Sequence, residues 1–166
     1  MIKEFTGRYH VHVSSRSFEH VVAALEAALG SVENEVFDHE LSDARDSSDF
    51  EARMRSHEGT SGFMRFHTID HGAWLTALGS NGRARMYTIG NPLIARTMIK
   101  HDLAVGLNVP VRIAVYQEPS SGKVHVSYNL PSSLMSALED EGVNEAALAL
   151  DAKLIALAEK ASGAKA

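Results

Sequence analysis

The chain has 166 residues, of which 45% are hydrophobic and 22% charged, with a formal charge of −5 and no cysteine. That length and balance fit a single self-supporting domain, residues 1–166, rather than a disordered chain. The missing cysteine excludes disulfides, thiolate metal sites and cysteine nucleophiles.

Basic residues are scattered, which argues against nucleic acid as a partner, since affinity for phosphates needs a basic face. No run reaches the roughly 18 apolar residues of a membrane helix. Met1-Ile2-Lys3-Glu4 carries no apolar signal segment. We therefore expect a cytoplasmic protein with no membrane partner. Nine histidines are the one unusual count.

The stretch 5–14 alternates, with Tyr9, Val11 and Val13 on one face and Arg8, His10 and His12 on the other, the pattern of a half-buried strand. Ser15 or Ser17 offers an N-cap. Phe18, Val21, Val22, Leu25 and Leu29 then form one apolar stripe of a helix, with Gly30 expected just past its end in the left-handed conformation. Residues 31–61 are rich in Glu, Asp and Ser. They read as a peripheral helical insertion, with Phe50, Met54 and His57 on one helix face and His39 and His57 exposed. Strands are expected over 63–69 and 83–89, with a short helix or turn over 73–78 between them. Asn91 caps a helix with Pro92 in its first position. Asp102 caps a further turn over 103–107. A hairpin follows, 111–117 and 124–129, joined through Pro119-Ser120-Ser121-Gly122. Pro131 begins a short helix, Asn144 caps the last one, and a frayed tail ends the chain. Val11, Val13, Val22, Leu25, Val111, Ile113, Val115, Val124 and Val126 are the expected core.

Several of these segments, in this order, resemble one known family. Ile69-Asp70-His71, Ile89-Gly90-Asn91-Pro92, Lys100-His101-Asp102, the run from Val109 to Tyr116 and the run from Gly122 to Asn129 look like the bacterial and archaeal domain-of-unknown-function family number 302. The resemblance covers 9–29 and 62–134, and the departures are the insertion 31–61 and the long last helix. It implies an α+β domain of the β-α-β4-α kind, like folds related to the TATA-binding protein, and often a homodimer. It implies no reaction.

Candidate site residues follow from chemistry at the strand ends. Asp70 beside His71 could orient an imidazole as general base; equally, Asp70 could cap the next helix. Gly90 and Asn91 stand where a strand enters a helix N-terminus, a place for an anion or simply a cap. His10 and His12, two apart on a strand, are candidate metal ligands if His67, His101 or His125 supplies a third. Tyr128 and Asn129 could line a pocket. Arg83, Arg85 and Arg112 could bind a carboxylate or phosphate or form salt bridges. Trp74 reads as a core or interface anchor. No cofactor motif is present.

The fold expected is α+β: a mostly antiparallel sheet of about five strands, helices on one face, the insertion and a C-terminal helix. The function expected is binding of a small molecule, with an anion as one candidate, in a pocket near His71 and Asn91, by a homodimer. The alternatives are a hydrolase or isomerase with His71 as base, a histidine metal site, and an interaction domain without a ligand.

Overall fold

The computed structural model describes residues 2–164. Six strands form one sheet: β1 (Tyr9–Ser14), β2 (Gly30–Ser31), β3 (Met64–Asp70), β4 (Arg83–Gly90), β5 (Val111–Gln117) and β6 (Val124–Asn129). Their spatial order is β1-β6-β5-β4-β3-β2. Every pairing is antiparallel except β2 with β3. The α+β expectation stands, with the two-residue β2 as the added strand.

The helices are α1 (Phe18–Ala28), α2 (Val36–Asp43), α3 (Ser47–Ser56), α4 (His71–Ala77), α5 (Pro92–Ile99), α6 (Pro131–Met135) and α7 (Glu141–Ser162). Both α1 and α7 lie on one face of the sheet and touch each other, and α5 packs on α7. Ser17 caps α1 by accepting the His20 amide, and Asp140 rather than Asn144 caps α7 through the Val143 amide. Asp102 accepts the Ala104 amide and caps a 3-10 turn at Leu103–Leu107, as its sequence position suggested.

The main core joins Val22 and Leu25 of α1, Val111, Ile113 and Val115 of β5, Val124 and Val126 of β6, and Leu150, Leu154 and Leu157 of α7. Alternation gives these strands one apolar face, and burying it against helices is what fixes their register.

Strand β1 reverses the expected facing. Tyr9, Val11 and Val13 are 59%, 41% and 46% exposed on the side turned away from α7, while His12 and Ser14 are buried beneath α7. Polar partners explain the inversion. Tyr128 meets the His12 ring, and Ser14 donates to the Ser162 carbonyl at 2.6 Å. Hydrogen-bonded polar side chains can occupy an interior, and alternation alone cannot say which face of a strand turns inward.

The segment 31–61 is helical as expected but is anchored more firmly. Met54 is fully buried with Val32 and Met64, and Val36, Phe37, Phe50, Phe66 and Leu93 pack around them. His57 is bound to Glu40 at 2.7 Å rather than exposed. Gly30 does not adopt the left-handed conformation. It starts β2, and a Cβ there would lie 1.6 Å from the His57 carbonyl oxygen, so glycine is needed for backbone approach. The C-terminal end of α7 is tied down. Arg16 donates to the carbonyls of Lys160 and Ala161, and Gly163 takes the left-handed cap. Lys165 and Ala166, the end of the expected frayed tail, lie outside the described residues.

Candidate functional site

Strands β3 and β4 run antiparallel, so their ends lie at opposite edges of the ladder. Met64 pairs with Gly90 and Asp70 pairs with Arg85. His71 therefore follows one end of the pair and Asn91 the other, roughly 20 Å apart at a rise of about 3.3 Å per residue. The single pocket expected near both residues does not form.

At the His71 end the polar groups bond mainly to one another, and Arg85 Nε is buried without a partner among the described residues. Asp70 accepts the Ala73 amide at 2.9 Å, capping α4, and accepts from Arg85 at 2.9 Å. The cap amide first, and the Arg85 guanidinium second, hold its carboxyl below the usual carboxylate range. Asp70 is not bonded to the His71 ring. His71 Nδ1 instead accepts the Trp74 indole N–H at 3.0 Å. Arg85 also reaches Glu26 at 3.1 Å, and Arg83 pairs with Glu19, so both arginines are salt-bridge partners. Trp74 is half exposed and is no core anchor.

The Asn91 end is apolar and concave. Asn91 is buried, and both ends of its amide are engaged: Oδ1 accepts the Leu93 amide at 2.9 Å, while Nδ2 donates to Glu58 at 2.8 Å and to the Gly62 carbonyl at 2.9 Å. The cap amide is taken and a carboxylate stands beside it, so an anion on the amides after Asn91 would be repelled. Alongside lies a cavity of about 470 Å³ whose walls include Phe63, Ile89, Gly90, Met98, Pro110 and Leu150. The insertion contributes Phe37 to it. A β-bulge between Arg65 and His67 brings Phe66 in, where it packs edge-on against Phe37 at 5.2 Å. A Cβ at Gly90 would sit 3.0 Å from Pro110 and 3.4 Å from Phe66, so glycine keeps that wall open.

The remaining candidates are spread over both faces of the sheet. The Tyr128 hydroxyl lies between His12 Nε2 at 2.9 Å and His10 Nδ1 at 3.4 Å, and His12 Nδ1 is buried without a partner. Burial, and then the neighbouring His10, push the His12 pKa down against an opposing pull from Glu159. Burial likewise pushes the Tyr128 hydroxyl upward. His125 pairs with Val13 and so faces away from His12. Among the described residues no three His, Cys, Asp or Glu side chains converge as metal ligands. Hence His10 and His12 gain no third ligand from His67, His101 or His125. Asn129 follows Tyr128 and so points to the opposite, exposed face, and the two cannot line one pocket. Arg112 is exposed on β5 and has no ion-pair partner among the described residues.

Sequence reading found Gly90 and Asn91 but missed the rest of the cavity. Phe37, Phe66, Pro110 and Leu150 come from four separate segments and carry no chemical signal singly. Only the bulge and the packing of the insertion bring them together.

Fold and site define an α+β protein with an apolar cavity where β4 enters α5. The chain belongs to the family described as domain of unknown function DUF302, whose model matches residues 39–161. The match includes most of the insertion and nearly all of the last helix, the two segments that the sequence motifs set apart, and it leaves out 9–29. The fold is similar to the crystal structure of an uncharacterized conserved DUF302 protein from Bacillus stearothermophilus, with a TM-score of 0.66 at 17% identity, over 92% of this chain and 97% of that one. At that identity the likeness is one of fold. No curated protein matches the chain. Among the described residues, no helix is long and apolar enough to cross a membrane.

Proposed function

We propose that this protein binds a small, largely apolar molecule in the cavity beside Gly90 and Asn91. The cavity itself carries the reading. Its volume of about 470 Å³ falls within the range of about 300–1,000 Å³ usual for small-molecule sites. The Asn91 side chain already spends both Nδ2 hydrogens on Glu58 and Gly62 and accepts the Leu93 amide at Oδ1, so it has no donor left for a ligand. A polar ligand group buried there would lose its water without replacement, whereas hydrocarbon gains about 25 cal/mol per Å² removed from water. His71, with its exposed neighbour Trp74 at the other end, takes no part in this site.

The test is fluorescence of a neutral apolar dye, N-phenyl-1-naphthylamine. The dye should brighten with the wild-type chain and with Leu148→Phe, a control on an exposed position of α7. Brightening should be lost in Ala95→Phe, which fills the cavity from α5. Equal brightening of all three would refute the reading.

A second reading concerns assembly, and a different observation favours it. Strand β1 is a sheet edge with Tyr9, Val11 and Val13 exposed on the side away from α7. An unpaired edge with apolar side chains invites pairing with a copy of itself about a two-fold axis. We propose a homodimer through this edge. Light scattering at high concentration should give about twice the chain mass; an 18.0 kDa particle would contradict it.

A further inference from the structure

Behind the apolar cavity, on the other flank of α5, lies a second concavity of about 650 Å³ between the end of α3, α5 and α7. Asn91, Ile94 and Leu150 line both, so the groove adjoins the hydrocarbon-lined space across α5. The groove differs in chemistry. Arg55, Lys100 and Lys153 reach it from three different helices or their ends. None of the three has an ion-pair partner among the described residues, although nearly every other arginine of the sheet and insertion does. Two carboxylates share the groove. Glu58 is held by the Asn91 amide, and Glu145 is exposed on α7. The His101 ring lies over Gly142 at the same rim, where a Cβ would come within 2.6 Å of it. By contrast, Arg96, the one cation of the apolar cavity, is already paired with Glu51 at 3.0 Å.

In a chain of net charge −5, three unpaired cations facing one groove next to an apolar cavity form a site with two unlike halves. We infer that the ligand is an amphipathic anion: a hydrocarbon chain in the cavity beside Gly90, and a carboxylate or phosphate head among Arg55, Lys100 and Lys153. This rests on the cavity reading above and names the ligand class for it. The head need not leave water, because the three cations are exposed. Their attraction is therefore modest and screened by salt. The tail supplies most of the affinity and the head supplies the discrimination between charged and neutral molecules.

The experiment displaces N-phenyl-1-naphthylamine from the full chain with decanoate, decyl phosphate or decanol, which share one tail. Either anion should displace the dye at concentrations roughly tenfold lower than decanol at low salt. That ratio should shrink towards one at about 1 M salt, where the Debye length is about 3 Å, and also in the double reversal Lys100→Glu/Lys153→Glu. Preference for one anion over the other identifies the head. Equal displacement by decanoate, decyl phosphate and decanol, or a ratio that the reversal leaves intact, overturns the anionic head while the cavity reading stands. Failure of the dye to bind the wild-type chain at all overturns both.

Discussion

The two ends of the β3–β4 pair make a useful contrast. At one end Asp70, Arg85, His71 and Trp74 bond mainly to one another or to the backbone near solvent, through the helix cap, the salt bridge and the indole contact, and Arg85 Nε is buried without a partner among the described residues. At the other end Asn91 is buried, and its three hydrogen bonds draw together α5, the loop at Gly62 and Glu58, leaving concave hydrocarbon beside it. By residue type the first end looks more catalytic. By geometry both ends are concave, with about 730 Å³ beside Asp70 and about 470 Å³ beside Asn91, but the space at Asp70 is lined by Glu19, Asp70, Asn81, Arg83 and Glu118, and the space at Asn91 is walled mainly by hydrocarbon. An acid next to an imidazole in sequence is not a dyad, because consecutive side chains diverge and the cap amide competes for the acid.

If that contrast is right, substitutions at the two ends should differ sharply. The largest effect is expected from Phe63→Ala. This ring is fully buried and floors the cavity, so its loss should lower unfolding free energy by about 3–5 kcal/mol in denaturant titrations. Asn91→Ala should cost about 2–3 kcal/mol, from the lost cap and from the Gly62 carbonyl and Glu58 left without their donor. At the other end, Asp70→Ala should cost only about 1 kcal/mol, the usual worth of an N-cap.

The same carboxylate gives a pH test. Its folded-state pKa lies below the unfolded value, so the support it lends is complete above an unfolded pKa of about 3.9 and is lost as pH falls through the folded value. Amide exchange in α4, corrected for intrinsic rate, should therefore speed up on acidification. Exchange at Leu93, whose amide is held by the neutral Asn91, should not follow it. Parallel loss at both ends would erase the distinction. The smallest effect is expected from His71→Ala, within about 0.5 kcal/mol, since it removes one half-buried ring and one indole contact. A cost above 2 kcal/mol would mean that His71 carries structure not apparent from its contacts.

Much of this fold could be read from the chain. Pro92 after Asn91, Asp102 before Leu103, and the alternation of β5 and β6 are local signals, and these elements formed where expected, whereas β1 begins only at Tyr9 and α7 begins at Glu141, ahead of Asn144. What escaped depends on contacts distant in sequence. Val11 and Val13 read as core because alternation marks two faces without saying which is covered; Tyr128 and Ser162, more than a hundred residues away, turn His12 and Ser14 inward instead. Gly30 read as a helix terminator, yet it is small because the backbone at His57 presses on it. The short strand β2 exists only because the insertion folds back to place it beside β3. The site was half legible for the same reason. Gly90 and Asn91 announce a turn into a helix, but a cavity is a property of what fails to fill a space, and Phe37, Phe66 and Leu150 give no sign of it singly.

The most direct test of the central claim is the amide spectrum of the full chain titrated with decanol, assigned residue by residue. Shifts should concentrate at Phe63 and Phe66, along 89–99 and at 109–111, with His71 through Ala77 unmoved. Shifts centred on His71 and Trp74, or a titration that moves nothing at the Asn91 end, would contradict the account.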